Sequence, residues 1–215
     1  MDTKPQKTCA VYLDGFNAYN GIFKFRPDLK WLNFRSFFEA ICAPYSVEMI
    51  YYCTAMVTAS TAAGLEQSKR QQTYIKALKS LPKFKVVLGT FQNKLVTCQK
   101  CYGEYSYPQE KKTDVNIALN MMVDAMERKY DSMVLVSCDS DLNPVCKWIK
   151  DNRPEIGLLV YFPILPELKE KRKNDSLSLM AIKTALLPCD ELHKHQFSDP
   201  LKLSFGSISK PVEWA

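Results

Sequence analysis

The sequence predicts an α/β domain: a mostly parallel sheet of about five strands with helices on both faces. Three observations lead there. Short apolar runs alternate with stretches of helical periodicity along the chain. The runs are almost uninterrupted in their apolar character, as strands covered on both faces are. At 215 residues, 47% hydrophobic and 24% charged, the chain can bury a sizeable core.

Residues 9–14 (CAVYLD) form a first strand that ends on an acid, and residues 17–25 a short helix or ordered turn. Asn33 is placed to cap a helix running through residue 43, with Phe34, Phe37, Phe38 and Ile41 on its apolar face. Residues 47–57 are rich in β-formers and make the second strand. A long helix over 61–81 turns Leu65, Ser68, Tyr74, Ile75 and Leu78 inward, and Pro82 stops it. The third strand is 84–91. Residues 92–110 follow as an irregular insertion, a hairpin or knuckle around two cysteines.

An apolar helix over 113–129 should bury Ile117, Ala118, Met121, Met122, Ala125 and Met126. Asp124 reads as part of its polar stripe, with Asn116 and Asn120. Residues 133–137 are the fourth strand. A helix over 141–152 carries Pro144 in its first turn, where a missing amide hydrogen does no harm. Residues 156–162 are the fifth strand and 176–186 a further helix. The tail, 196–215, should pack through Phe197, Leu203, Phe205 and Trp214. No repeat, low-complexity segment or linker divides the chain, so 1–215 reads as one domain.

Lys, Asp or Gln interrupts every apolar run before it reaches the ~20 residues of a membrane span. The start, MDTKPQKTCAVYLDGF, has too short an apolar stretch for a secretory signal. A cytoplasmic protein with no membrane partner is expected. Of eight cysteines, Cys9, Cys53, Cys138 and Cys146 occupy positions of buried apolar residues, as reduced thiols do. The net charge of +6 permits a polyanionic partner. Its cations gather at Lys69, Arg70, Lys76, Lys79, Lys83 and Lys85, at Lys111 and Lys112, and in the run 169–173. Such a face is ordinarily just solvated, but beside an acidic metal site it would hold phosphates.

Ligands of a parallel sheet bind beyond the carboxyl ends of its strands. Asp14 ends the first strand, Asp139 and Asp141 follow the fourth, and Asp114 opens the helix that feeds the fourth. Singly, Asp114 and Asp141 suit helix starts, Asp139 a turn, and Asp14 a pair with a lysine. Together they must protonate, pair with bases or bind a cation, because two unit charges ~4 Å apart repel by up to ~4 kcal/mol at an effective dielectric near 20. Oxygen donors alone suit Mg2+ or Mn2+ rather than zinc.

Four stretches resemble the NYN domains of the PIN-like nuclease superfamily, whose fold is Rossmann-like: VYLDGFNAYN at 11–20, EKKTDVNIALNMMVDA at 110–125, MVLVSCDSDLNPV at 133–145 and QFSDPLKLSFGSISKPVEW at 196–214. RQQTYIKAL at 70–78 and VVLGTF at 86–91 are weaker echoes, so the resemblance covers nearly the whole chain. It implies that Asp14, Asp114, Asp139 and Asp141 bind the metal and are catalytic, with Asn17 and Ser137 ordering the site. Cys138 stands where many relatives carry glycine. The implied chemistry is metal-assisted hydrolysis of RNA, an endoribonuclease activity. A His-driven mechanism is not expected, since His193 and His195 are the only histidines.

Lys111 and Lys112 are candidate phosphate contacts, and Arg70 and Tyr74, one helical turn apart, offer a phosphate contact and a stacking ring. A surface charge and a half-buried aromatic are the plainer account of that pair. Cys98 and Cys101 supply half a zinc site, whose closure would need His193, His195, Cys189 or a second subunit. A reduced pair without zinc is the expectation, and a homodimer is left open. Two other functions compete with an endoribonuclease: a structure-selective DNase of the flap-nuclease type, and a non-catalytic RNA-binding adaptor. Four intact acids count against the adaptor. A haloacid-dehalogenase-like phosphatase lacks its DxDxT signature here.

Overall fold

A computed structural model describes residues 6–57, 62–168, 175–178, 181, 183–204 and 206–214. Among them, six parallel strands form one sheet in the order β3-β2-β1-β6-β7-β8. They are β1 (Thr8–Asp14), β2 (Ser46–Thr54), β3 (Phe84–Leu88), β6 (Ser132–Val136), β7 (Gly157–Phe162) and β8 (Lys183–Leu186). β1 lies in the interior. Alternate residues of it enter two cores: Cys9, Val11 and Leu13 face one layer, Ala10 and Tyr12 the other.

The first layer is aromatic. Helix α2 (Phe34–Ile41) contributes Phe34, Phe37 and Phe38, all essentially inaccessible. Burial of each such ring stabilises by roughly 1.5–3 kcal/mol. Asn33 caps the helix as expected, its side chain accepting from the Ser36 amide at 3.1 Å. Helix α3 (Ala62–Lys79) adds Tyr74, Ile75, Ala77 and Leu78. Leu65, expected inward, is 50% exposed: it lies on the far side of the helix from those residues. Trp31 packs against Tyr74, Phe197 and Trp214, and its indole N–H donates to the Ser198 carbonyl at 3.2 Å, which fixes the tail to this layer. The tail itself turns back as a small hairpin, β9 (Leu201–Leu203) with β10 (Gly206–Ile208).

The second layer holds α4 (Thr113–Met126) and α5 (Asn143–Asn152). Ile117, Met121 and Ala125 are buried, but Met126 is exposed at the helix end. Asp124 is not on a polar stripe. It is buried, accepting from the Tyr12 hydroxyl at 2.8 Å and from Lys129 Nζ at 3.0 Å.

Two segments differ from their expected structure. Residues 92–110, expected as an irregular hairpin or knuckle, form a regular hairpin: β4 (Thr90–Thr97) and β5 (Glu104–Lys111) pair antiparallel over eight residues. Both cysteines of the CxxC pair sit between these strands. Residues 183–186, expected as helix, are the sixth strand, in register with Leu159–Phe162 of β7. A one-turn helix, α6 (Asp175–Ser178), precedes it. The basic run 169–173 and Phe205 lie outside the described residues. No helix is long and apolar enough to cross a membrane, among the described residues.

Candidate active site

The strand order reverses between β1 and β6, and crevices of open parallel sheets lie at such switch points. Asp14 closes β1 there. Its carboxylate caps α1 (Gly15–Ala18), Oδ1 accepting from the Asn17 amide at 2.9 Å. A Cβ on Gly15 would come within 2.8 Å of the Tyr52 ring, so glycine lets the chain turn tightly beside the acid.

The segment after β6 meets the same carboxylate. Ser137 donates its hydroxyl to Asp14 Oδ2 at 2.9 Å and accepts from the Asp139 amide at 3.0 Å. Asn17 Oδ1 accepts from the Cys138 amide at 3.2 Å. The two loops are therefore sewn together by Asn17 and Ser137. Cys138, expected as a buried thiol, is only half-buried on this loop. Asp139 in turn caps the 3-10 turn Ser140–Leu142, accepting from the Asp141 amide at 2.9 Å.

Asp14 is 3% exposed, and burial pushes its pKa up to about 7. The Asn17 amide and Ser137 hydroxyl oppose that rise, while the charges of Asp114 and Glu110 add to it. Asp114, in the first turn of α4, is raised by burial and then by Asp139 and Asp141. All four expected aspartates thus belong to one electrostatic neighbourhood. Among the described residues none of the four pairs with Lys or Arg.

Glu110 is a fifth acid that sequence reasoning missed. It sits near the end of β5, its carboxylate accepting from the Thr113 hydroxyl, and burial followed by Asp114 raises its pKa. The hairpin delivers it. Gly89 permits this path, because a Cβ there would lie 2.6 Å from Thr113 Oγ1 and 2.7 Å from the Lys111 carbonyl oxygen. The available signal was its place four residues before Asp114.

The donor set is all oxygen, crowded and, among the described residues, without a paired Lys or Arg, which fits a hard divalent cation in chemistry and charge. As the side chains stand, no group of three His, Cys, Asp or Glu is disposed to hold an ion, among the described residues.

A cleft of about 590 Å3 begins at Gly15 and Phe16, immediately after Asp14. Phe16, Tyr19, Phe91 and Trp214 give it aromatic walls, and Lys30 and Arg70 supply positive charge. Lys30 lies 5.4 Å from the centre of the Tyr19 ring. Arg70 pairs with Glu213 at 2.7 Å. Tyr74 is not a free stacking ring. It is 9% exposed, packed between Trp31, Phe34 and Trp214, with its hydroxyl donating to the Leu32 carbonyl at 2.7 Å. Lys111 and Lys112 are exposed at the root of the hairpin, Lys112 with a left-handed φ of 74°.

Cys98 and Cys101 lie at the opposite end of that hairpin. None of the residues considered for closing a zinc site with them reaches it. His195 Nδ1 is 2.8 Å from Ser36 Oγ, and Cys189 Sγ lies 3.9 Å from the Ile164 carbonyl oxygen.

The sequence profile of the NYN domain matches residues 8–179, most of the chain and every acid above. The chain belongs to the NYN domain family. Membership places it with nuclease-type domains. This NYN domain is 26% identical to a Pseudomonas putida protein named 6-hydroxy-3-succinoylpyridine 3-monooxygenase HspA, over 74% of this chain and 61% of that one. It therefore spans about three-fifths of that relative's length. A crystal structure of a protein of unknown function from Vibrio parahaemolyticus shares the fold, with a TM-score of 0.50 and 16% identity, covering 88% of this chain and 98% of the other.

Proposed function

We propose that this NYN domain hydrolyses RNA phosphodiester bonds as a divalent-metal-dependent endonuclease. One observation carries the reading: a buried carboxylate, Asp14, lies among other acids at the sheet's switch point, and none of them pairs with Lys or Arg among the described residues. Asp14, Asp114, Asp139 and Asp141 would hold Mg2+ or Mn2+. Bound there, the ion would lower the pKa of a water and stabilise the leaving oxygen.

The chain's own residues do the rest. Ser137 and Asn17 hold the Asp14 and Asp139 loops in fixed relation, and the carboxylates would turn toward the ion on loading. Lys111 and Lys112, beside Asp114 in the chain, are positioned for backbone phosphates of a bound strand. The cleft beyond Gly15 suits an unpaired base, with Phe16 and Tyr19 for stacking and Lys30 for the adjoining phosphate. Its dimensions also suit a free heteroaromatic acid, the kind of compound in the name of the Pseudomonas putida relative. That is the second reading.

The test is incubation of the pure protein with labelled RNA and DNA in Mn2+, Mg2+ or EDTA. Metal-dependent cleavage of RNA is expected. Cleavage confined to branched DNA would establish the flap-nuclease alternative, and binding without cleavage in any metal would leave an RNA adaptor.

A further inference from the structure

The tip of the β4–β5 hairpin folds into a knuckle around its two cysteines. The Cys98 amide donates to the Gly103 carbonyl at 2.9 Å, and the Tyr102 amide donates to the Cys98 carbonyl at 2.8 Å. Tyr102 takes a left-handed φ of 56° to close this turn. Gly103 stands beside Cys101, its Cβ position 3.4 Å from Cys101 Sγ. Both thiols are free, and Cys101 is exposed.

A reduced pair with no task needs none of this. Two cysteines at CxxC spacing on a tight turn are half of a tetrahedral thiolate site with Zn–S bonds of ~2.3 Å. Among the described residues no third His, Cys, Asp or Glu stands by them. The missing donors therefore come from outside the chain, and a soft tetrathiolate set selects zinc over the hard ions suited to the aspartates.

We propose that Cys98 and Cys101 bind one zinc ion jointly with the same two cysteines of a second copy, bridging two hairpin tips. An isologous contact on a two-fold axis supplies both halves from one sequence. The arm suits such a meeting. Leu95, Tyr102 and Tyr105 are large apolar side chains left exposed along it, and Lys94 and Lys100 bring positive charge to a doubly negative zinc–tetrathiolate centre. The four thiols each release a proton as the ion binds. This site is chemically and spatially separate from the acids and does not rest on the nuclease reading.

The experiment uses the full chain purified under reductant without added metal. Elemental analysis should find about one zinc per two chains, and light scattering a dimer. A strong chelator should halve the mass, and zinc added back should restore it. X-ray absorption at the zinc edge should show four sulfur ligands. The Cys98→Ser, Cys101→Ser double variant should be a zinc-free monomer that keeps the parent's circular-dichroism spectrum, since the tip lies outside both cores. Asp139→Asn should keep zinc and dimer alike. A monomer that takes up no zinc when zinc is added would overturn the proposal. So would one zinc per chain in a monomer, a zinc-free dimer in the double variant, or a dimer that reductant but not chelator separates.

Discussion

Ser137 and Asp14, 123 residues apart in the chain, share a 2.9 Å hydrogen bond that ties the end of β6 to the end of β1. The hydroxyl donates to a carboxylate that is otherwise raised by burial, so it is a principal support of the ionised form.

Ser137→Ala should therefore raise the proton affinity of Asp14 further. A hydrogen bond to a charged group contributes about 1.5–3 kcal/mol, so cleavage at neutral pH should fall by at least about tenfold. The optimum should move to higher pH and the metal requirement should rise. A pH–rate profile superimposable on the parent's would show that Ser137 has no such influence.

Asp139→Asn should abolish metal-dependent cleavage and leave the fold intact. The thermal midpoint should stay level or rise, because Asp139 contributes to the charge crowding felt by Asp114. Full activity in this variant and in Asp14→Asn would remove the aspartates from the mechanism.

Stability without metal should depend on pH in a defined sense. A carboxyl whose folded pKa is raised binds its proton more tightly when folded, so stability falls as pH rises from the unfolded value, near 3.8, to the folded one. For Asp14 that window runs from 3.8 to about 7, with a full penalty on the order of 4 kcal/mol; Glu110 and Asp114 act in the same direction. Denaturant midpoints in EDTA should increase as pH is lowered from 8 to 5, and Asp14→Asn should flatten that increase. A parent curve that is level between pH 5 and 8 would contradict the buried, uncompensated carboxyl.

Lys111→Ala combined with Lys112→Ala should weaken RNA binding and reduce its salt dependence. Each lost phosphate contact lowers the log–log slope by roughly 0.7 on a single strand. The measurement is best made with Asp139→Asn, so that binding is read without cutting. An unchanged slope would move the RNA path away from the hairpin root.

The sheet was legible because its strands are apolar on both faces, and β1, β2, β6 and β7 were read within a few residues of their limits. The four aspartates were legible because each ends a strand or begins a helix. β8 was missed because Leu, Met and Ala in residues 177–186 favour helix locally, whereas parallel pairing with β7 decides the outcome. A hairpin or knuckle was expected over 92–110, but its regular eight-residue pairing was not, because the strands are largely exposed and carry no buried alternation. With it went Glu110, whose role depends on where β5 ends. Asp124 looked solvent-facing because its partner, the Tyr12 hydroxyl, lies 112 residues away in sequence.

The register that lays β1 beside β6 also governs when the four aspartates can come together during synthesis. Asp14 is made early, but its hydroxyl partner and both acids of the DxD motif lie beyond residue 136. A nascent chain carrying only the first two-thirds of the sequence has β1 with one neighbour and an exposed edge where β6 belongs. It holds Asp14 and Asp114 with nothing to join them to the remaining acids. For the RNA-cutting activity proposed above, strand order alone would therefore delay assembly of the site until the later segment has emerged and slotted in.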